Sequence, residues 1–401
     1  MSRSFPTLAD PSTDAAAMLR RVGFGLVLFA APVAALFARR AVVVLVPLAI
    51  ALLVIAAILD GRSRTSFTHI RHLLATPAAA AALVLLTWAG LSLVWTPFPD
   101  EAAERLLNIA GMTVLAFMGY MAMPDRTRSA NLYFLPIGTA LAGIAAMALT
   151  LREQPVSEAD GQNIERGFVT LVLFLWPSIT WLHSRGRNAQ ALLLAALVGG
   201  STLLAPSALP LHALAVGALA FAVTAIAPVS GAVVMAGIMA GAVLLAPVLP
   251  FLLRPLVALL PVSAASGHSL DLWQDVVLNE PFRLVTGHGL ETALRAKLVG
   301  LLAPEAPVTV LFEIWYELGL VGAAALAVAL FAATSATGRE RSLLVPGMVA
   351  SITTAFAFAC LGIGALQPWW IGALVVLVLV FVAIERGQFR TKRPKAVLRR
   401  G

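Results

Sequence analysis

Long apolar runs alternate with short polar breaks along this chain, and twelve of the runs approach the roughly 20 residues that a helix needs to cross a bilayer core. They fall near 22–37, 41–59, 78–96, 107–123, 131–151, 168–183, 189–205, 210–228, 231–253, 307–333, 344–365 and 367–384. The pattern predicts an all-α fold, a polytopic transmembrane helical bundle of about twelve spans. One polar stretch, 254–306, interrupts it between the ninth and tenth runs. The expected organisation is therefore spans 1–9 within 1–253, a loop of short helices over 254–306, spans 10–12 within 307–384, and a basic tail over 385–401.

Composition agrees with this reading. Hydrophobic residues make up 60% of the 401 and charged residues 12%, with mean hydropathy +0.91, a mix that a soluble domain cannot cover with polar surface. The net charge of +8 does not point to nucleic acid, because the basic residues lie in short clusters between apolar runs and at the C-terminal end, as membrane topology requires. The single cysteine, Cys360, excludes an intrachain disulfide and a cysteine-based metal site. No metal constellation and no nucleotide-binding glycine loop is present, so no cofactor is expected. Arg39-Arg40 and a second apolar run directly follow the first, which argues for an uncleaved first span.

The positive-inside rule orients the bundle. With both termini in the cytoplasm, Arg62, Arg64, Arg71, Arg126, Arg128, Arg185, Arg187, Arg339 and Arg341 fall inside, and so does the tail around 390–395. The loops at 97–105 and 152–166 then lie outside, as does 254–306. Arg39-Arg40 is the exception. His212, His268 and His288 lie on the outer side, and His69, His72 and His183 on the inner. Gly237-Ile-Met-Ala-Gly241 is read as ordinary close helix packing.

Within the outer loop, Leu270, Trp273, Val276 and Val277 recur at helical spacing, which predicts a short amphipathic helix on the membrane face, ended by Pro281. Gly287-His288-Gly289 predicts a turn, and Arg295 and Lys297 sit on a second short helix. Glu313 and Glu317, four apart, share one face of the tenth span. An ionisable group within a span costs about 2.5–3.5 kcal/mol on insertion scales, so such groups face a cavity or a partner. Either carboxylate is a candidate base or proton relay; alternatively, Glu317 pairs with a loop arginine and anchors the loop.

Trp273, Pro281, Gly287-His288-Gly289 and Glu317-Leu-Gly-Leu-Val-Gly322 occur in an order that resembles the O-antigen ligase and O-antigen polymerase superfamily of bacterial inner membranes. Ser92-Leu-Val-Trp-Thr-Pro-Phe-Pro99, Arg166-Gly167 and Leu175-Trp-Pro177 are similar to that family as well. The resemblance implies a polyprenyl-pyrophosphate-linked glycan as substrate, arginines that hold its pyrophosphate, and a base that deprotonates a hydroxyl acceptor at the periplasmic face, with membrane lipids as the surroundings. Two positions depart from the family pattern. His268 stands where the loop arginine is usual, and Val308-Thr309 where a His-Asn pair is usual.

The resemblance makes Arg166 a substrate-binding candidate, the alternative being an interfacial arginine that snorkels to headgroups or pairs with Glu165. Arg105, Arg283, Arg295 and Lys297 are candidates to replace the missing loop arginine, or are solvated loop cations. Glu313, His268 and His288 are the candidate catalytic bases. Their alternatives are a solvated helix cap for His268 and a hydrogen bond to the turn backbone for His288. Trp369-Trp370 read as interfacial anchors. The functional expectation is metal-independent transfer of a lipid-linked saccharide in surface polysaccharide biosynthesis. Its rivals are a catalytically degenerate glycan-binding scaffold and a flippase. Oligomeric state is not legible.

Overall fold

The computed structural model describes residues 11–38, 40–61, 75–125, 127–152, 158–259, 264–339, 343–363 and 367–387, and among them every regular element is a helix. Arg39, Arg62, Arg64, Arg71, Arg126, Arg341, His69, His72 and the basic tail lie outside the described residues. In chain order the helices are α1 Pro11–Ala34, α2 Ala41–Leu59, α3 Pro77–Val94, α4 Pro99–Ala122, α5 Ser129–Thr150, α6 Gly161–Ser184, α7 Asn188–Leu203 and α8 Leu209–Ile226. There follow α9 Pro228–Leu244, α10 Ala264–Asn279, α11 Arg283–Thr286, α12 Thr292–Leu298, α13 Val310–Thr337, α14 Val345–Cys360 and α15 Pro368–Gly387.

Nine of the described helices are long and apolar enough to cross a bilayer, and ten if α9 is joined to the arm Ala246–Pro255 beyond it. The chain is a multi-pass membrane protein. The two remaining predicted spans, the seventh and eleventh, correspond to α7 and α14. Each has 16 residues, about 24 Å at 1.5 Å per residue against a hydrocarbon core of about 30 Å. The first helix begins earlier than the apolar run that announced it. Pro11 at its start and Asp14 in its first turn are helix-initiating signals, whereas the apolar run marks only the part suited to lipid.

α6 occupies the centre: 89% of its apolar window is buried, against 11% for α4 at the periphery. Phe168, Phe174 and Trp181 are fully enclosed, within one core that joins α1, α2, α5, α6 and α15. A second core lies beneath the loop, where Trp273 of α10 and Ala296 of α12 meet Phe312 and Trp315 of α13 and Val243 of α9.

Two helix breaks shape the region under the loop. The predicted ninth span, 231–253, is bent by 60° after Leu244. Pro247 has no N–H to return to the carbonyl four residues back, and that carbonyl, Val243 O, instead accepts from the Trp315 indole at 2.7 Å. The second break is at Gly319, whose φ of 61° and ψ of −156° interrupt α13.

Candidate functional site

The break at Gly319 frees the last carbonyls of the upper segment of α13, and a helix end buried without partners for them would be costly. All three are satisfied from elsewhere. Tyr316 O accepts from His288 N at 2.8 Å and Glu317 O from Gly289 N at 2.9 Å. Leu318 O accepts from the Trp88 indole of α3 at 2.8 Å. The Gly287-His288-Gly289 turn is thus the cap of a broken helix. Both of its glycines have positive φ, and a Cβ on Gly287 would run into the backbone of Glu317. Gly319 faces the same interface from the other side, where a Cβ would meet Val285 O and Gly287 N.

A third sequence stretch joins them. Leu290 N donates to Ser92 Oγ at 3.1 Å, and Thr96 Oγ1 donates to Leu290 O at 3.0 Å. The Ser92–Thr96 segment, the Gly-His-Gly turn and the Glu-Leu-Gly break, far apart in sequence, therefore converge through backbone bonding. Arg166-Gly167 and Trp176 do not join this convergence. They lie on α6, where Gly167 allows close approach to Leu36.

On one side of the turn stands His288. Its ring stacks on Tyr316 at 4.1 Å, Nδ1 lies 3.0 Å from Tyr316 O, and Nε2 lies 2.7 Å from a Glu280 carboxylate oxygen. The space there is filled, with a cavity of only about 10 Å³ among Trp273, Phe312 and Tyr316.

On the other side a cavity of about 430 Å³ opens between α3, α13, α14 and α15. Its walls are apolar, from Leu85 and Leu86 to Phe356 and Leu374, and among the described residues its charged lining is Glu313 and Glu317. Glu317 is buried and accepts from Ala293 N at 3.1 Å. Its bond to the loop is to a backbone amide of α12, not the loop-arginine pair considered as an alternative, and the Arg105 charge acts on it.

Beside this cavity the structure assembles a cation cluster around a residue that sequence reading missed. Glu291 pairs with Arg105 of α4 through one carboxylate oxygen and with Arg295 of α12 through the other, at 3.5 Å. The Glu291 carboxylate is almost fully buried. Among the described residues, Glu291 is the one non-glycine with positive φ, at 70°, a conformation that costs an L-residue about 1–2 kcal/mol. Its only sequence signal is its place two residues beyond the turn. Lys297, two residues beyond Arg295 on α12, donates to Ala306 O. Burial lowers the Lys297 pKa below its ordinary value, and the Glu313 charge partly restores it.

The remaining candidates stand apart. Arg166 lies over the Trp369 ring at 5.6 Å, and Trp369 packs edge-on against Trp370, which lines the cavity. These tryptophans, read as interfacial anchors, thus link Arg166 to the cavity wall. Glu165 accepts from Ser207 Oγ at 2.9 Å. His268 on α10, His212 on α8 and Arg283 on α11 are exposed. Thr309, at the position where the resemblance expected the His-Asn pair, caps α13 by accepting from Phe312 N at 3.2 Å. No group of three His, Cys, Asp or Glu converges as a metal site among the described residues.

Chemically, the arrangement offers an apolar slot for a hydrocarbon chain, carboxylates where that slot meets the loop, and guanidinium groups beside them from α4 and from the loop helix α12. Compared with protein-family models, with curated proteins and with solved structures, the chain gives no match.

Proposed function

We propose that this chain acts on a polyprenyl-pyrophosphate-linked saccharide at the periplasmic face of a bacterial inner membrane, transferring the saccharide to a hydroxyl acceptor. In this reading all twelve apolar helices or helix pairs cross the membrane and both termini are cytoplasmic. The observation that carries it is the apolar cavity of about 430 Å³ whose charged lining, among the described residues, is Glu313 and Glu317, next to Arg105, Arg295 and Lys297. Such a site suits an amphipathic ligand with a long hydrocarbon tail and a polar, anionic head. The saccharide and the direction of transfer come from the motif resemblance.

Helix length supports the depth assigned to the site. Below the break at Gly319, the remaining length of α13 to Thr337 is about 28 Å, close to a hydrocarbon core of about 30 Å. The part from Gly319 to Thr337 suffices to cross, leaving the Glu313–Glu317 turn at the outer interface.

In the reaction, the acceptor hydroxyl oxygen attacks the anomeric carbon of the donor and the bond from that carbon to the pyrophosphate oxygen breaks. Glu313 accepts the hydroxyl proton, and polyprenyl pyrophosphate leaves with its charge held by Arg105, Arg295 and Lys297. The test is transfer by the full-length protein in proteoliposomes from a polyprenyl-pyrophosphate oligosaccharide to a hydroxyl acceptor. Glu313→Gln is expected to lower the rate by about 10²–10⁴-fold with the fold intact. Absence of transfer from any such donor, together with unaltered surface polysaccharide in a deletion strain, would overturn the reading.

One observation favours a second reading, a glycan-binding scaffold without transfer: the Arg105 guanidinium is already paired with the Glu291 carboxylate, which Arg295 also approaches. A protein that binds the lipid-linked donor but shows the same negligible turnover with and without Glu313→Gln would be that scaffold.

A further inference from the structure

Resting on the reading that this cluster receives a pyrophosphate, a more specific inference concerns Glu291. The Glu291 carboxylate pairs with Arg105 and is approached by Arg295, so the position between the two guanidiniums is already held by an anion. We propose that Glu291 is an exchangeable internal anion, whose carboxylate holds Arg105 and Arg295 together until the phosphate of a substrate takes its place.

Three features carry this. The turn meets its need for positive φ with glycine at 287 and 289, yet the left-handed position 291 is a glutamate. A side chain held in a conformation that disfavours it points to a use for that side chain. Each carboxylate oxygen engages a guanidinium from a different helix, α4 or α12, so the carboxylate sits between two planar donors where a phosphate could make the same paired contacts. Finally, the two arms are unequal. Arg105 is mostly buried with Glu291, whereas Arg295 reaches it only at 3.5 Å and is 38% exposed. The Arg295 arm is the one an entering anion meets first.

The test measures inorganic pyrophosphate binding to the full-length protein in zwitterionic nanodiscs. Glu291→Gln keeps the shape and removes the charge, and Glu291→Gly removes the charge in a residue that tolerates this backbone, should the first variant fold poorly. Either is expected to bind pyrophosphate at least about tenfold more tightly than wild type, since an adjacent like charge no longer competes. Arg105→Gln added to Glu291→Gln should abolish that gain. Equal affinity in wild type and both charge-removing variants overturns the exchange, as does a gain that survives Arg105→Gln. If wild type binds pyrophosphate through Arg105 but Glu291 substitution changes nothing, exchange fails while the lipid-linked donor reading stands. If no variant binds pyrophosphate and none transfers from a polyprenyl-pyrophosphate donor, both fail. Repeating the titration in anionic phosphatidylglycerol nanodiscs separates the sources. Weakened pyrophosphate binding to Glu291→Gln there, at a salt concentration that screens the bulk surface charge, identifies a lipid headgroup phosphate as a competing occupant. Unchanged binding assigns the site to the substrate phosphate.

Discussion

The two sides of the Gly287-His288-Gly289 turn use polar groups in opposite ways. Towards α10, His288, Glu280 and the carbonyl of Tyr316 bond to one another in a region with room for about 10 Å³. Towards α3 and α14, Glu313 and Glu317 face about 430 Å³ of apolar space, and Glu291 gathers two arginines nearby. The histidine that sequence motifs single out belongs to the closed side, where it holds a helix break together. The open side is built from residues outside the Gly-His-Gly motif, and of these Glu317 also touches the turn, its side chain facing the cavity while its backbone carbonyl is capped by Gly289 N. A motif can therefore mark the scaffold of a site, with the chemistry one or two residues away.

The largest effect expected on the closed side comes from Gly319→Ala. A side chain at φ 61° and ψ −156° lies in backbone space that costs about 1–3 kcal/mol. The added Cβ would also press on Val285 O and Gly287 N, an overpacking worth about 1–3 kcal/mol more. Thermal unfolding in detergent should show a loss of about 3 kcal/mol or more, with activity falling in proportion to folded protein. Wild-type stability in Gly319→Ala would mean that the break and the turn are not one device, and the comparison would lose its basis.

His288→Ala should do less. It removes the ring bonds to Tyr316 O and Glu280 and the stack on Tyr316, while His288 N remains to cap the carbonyl. About 1–2 kcal/mol of stability should be lost, and transfer by the folded protein should stay within about tenfold of wild type. A rate loss as large as that of Glu313→Gln would move the chemistry to the closed side and reverse the assignment.

Much of this architecture was legible in the residues. The all-helical fold and nine or ten of the apolar runs, as helices long enough to cross a bilayer, are among what the residues announce. What could not be read was long-range. Nothing local announces that Pro247 frees a carbonyl for Trp315, or that Gly319 frees one for Trp88, because in both cases the donor is on another helix. Glu291 was missed for a related reason. Its importance lies in an uncommon φ and in Arg105, which is 186 residues away. Glu313 was accessible because a carboxylate in an apolar span is costly enough to stand out by itself.

The smallest expected effect, and the finest test of the open side, is the titration of Lys297. Burial lowers its folded-state pKa below the reference value of 10.5, and Glu313 opposes that shift. In the alkaline window between the lowered value and 10.5, the unfolded chain binds more protons at this site than the folded protein does. Stability contributed by this group therefore rises with pH through the window and is lower on its acidic side. Lys297→Met should remove that rise, seen as a flatter dependence of thermal unfolding on alkaline pH than in wild type. Glu313→Gln should act in the opposite sense: without the carboxylate, the folded-state pKa falls further and the rise begins at lower pH. If Glu313→Gln leaves the onset where it is in wild type, Glu313 and Lys297 are not electrostatically joined, and Lys297 does not sense the carboxylates that line the cavity.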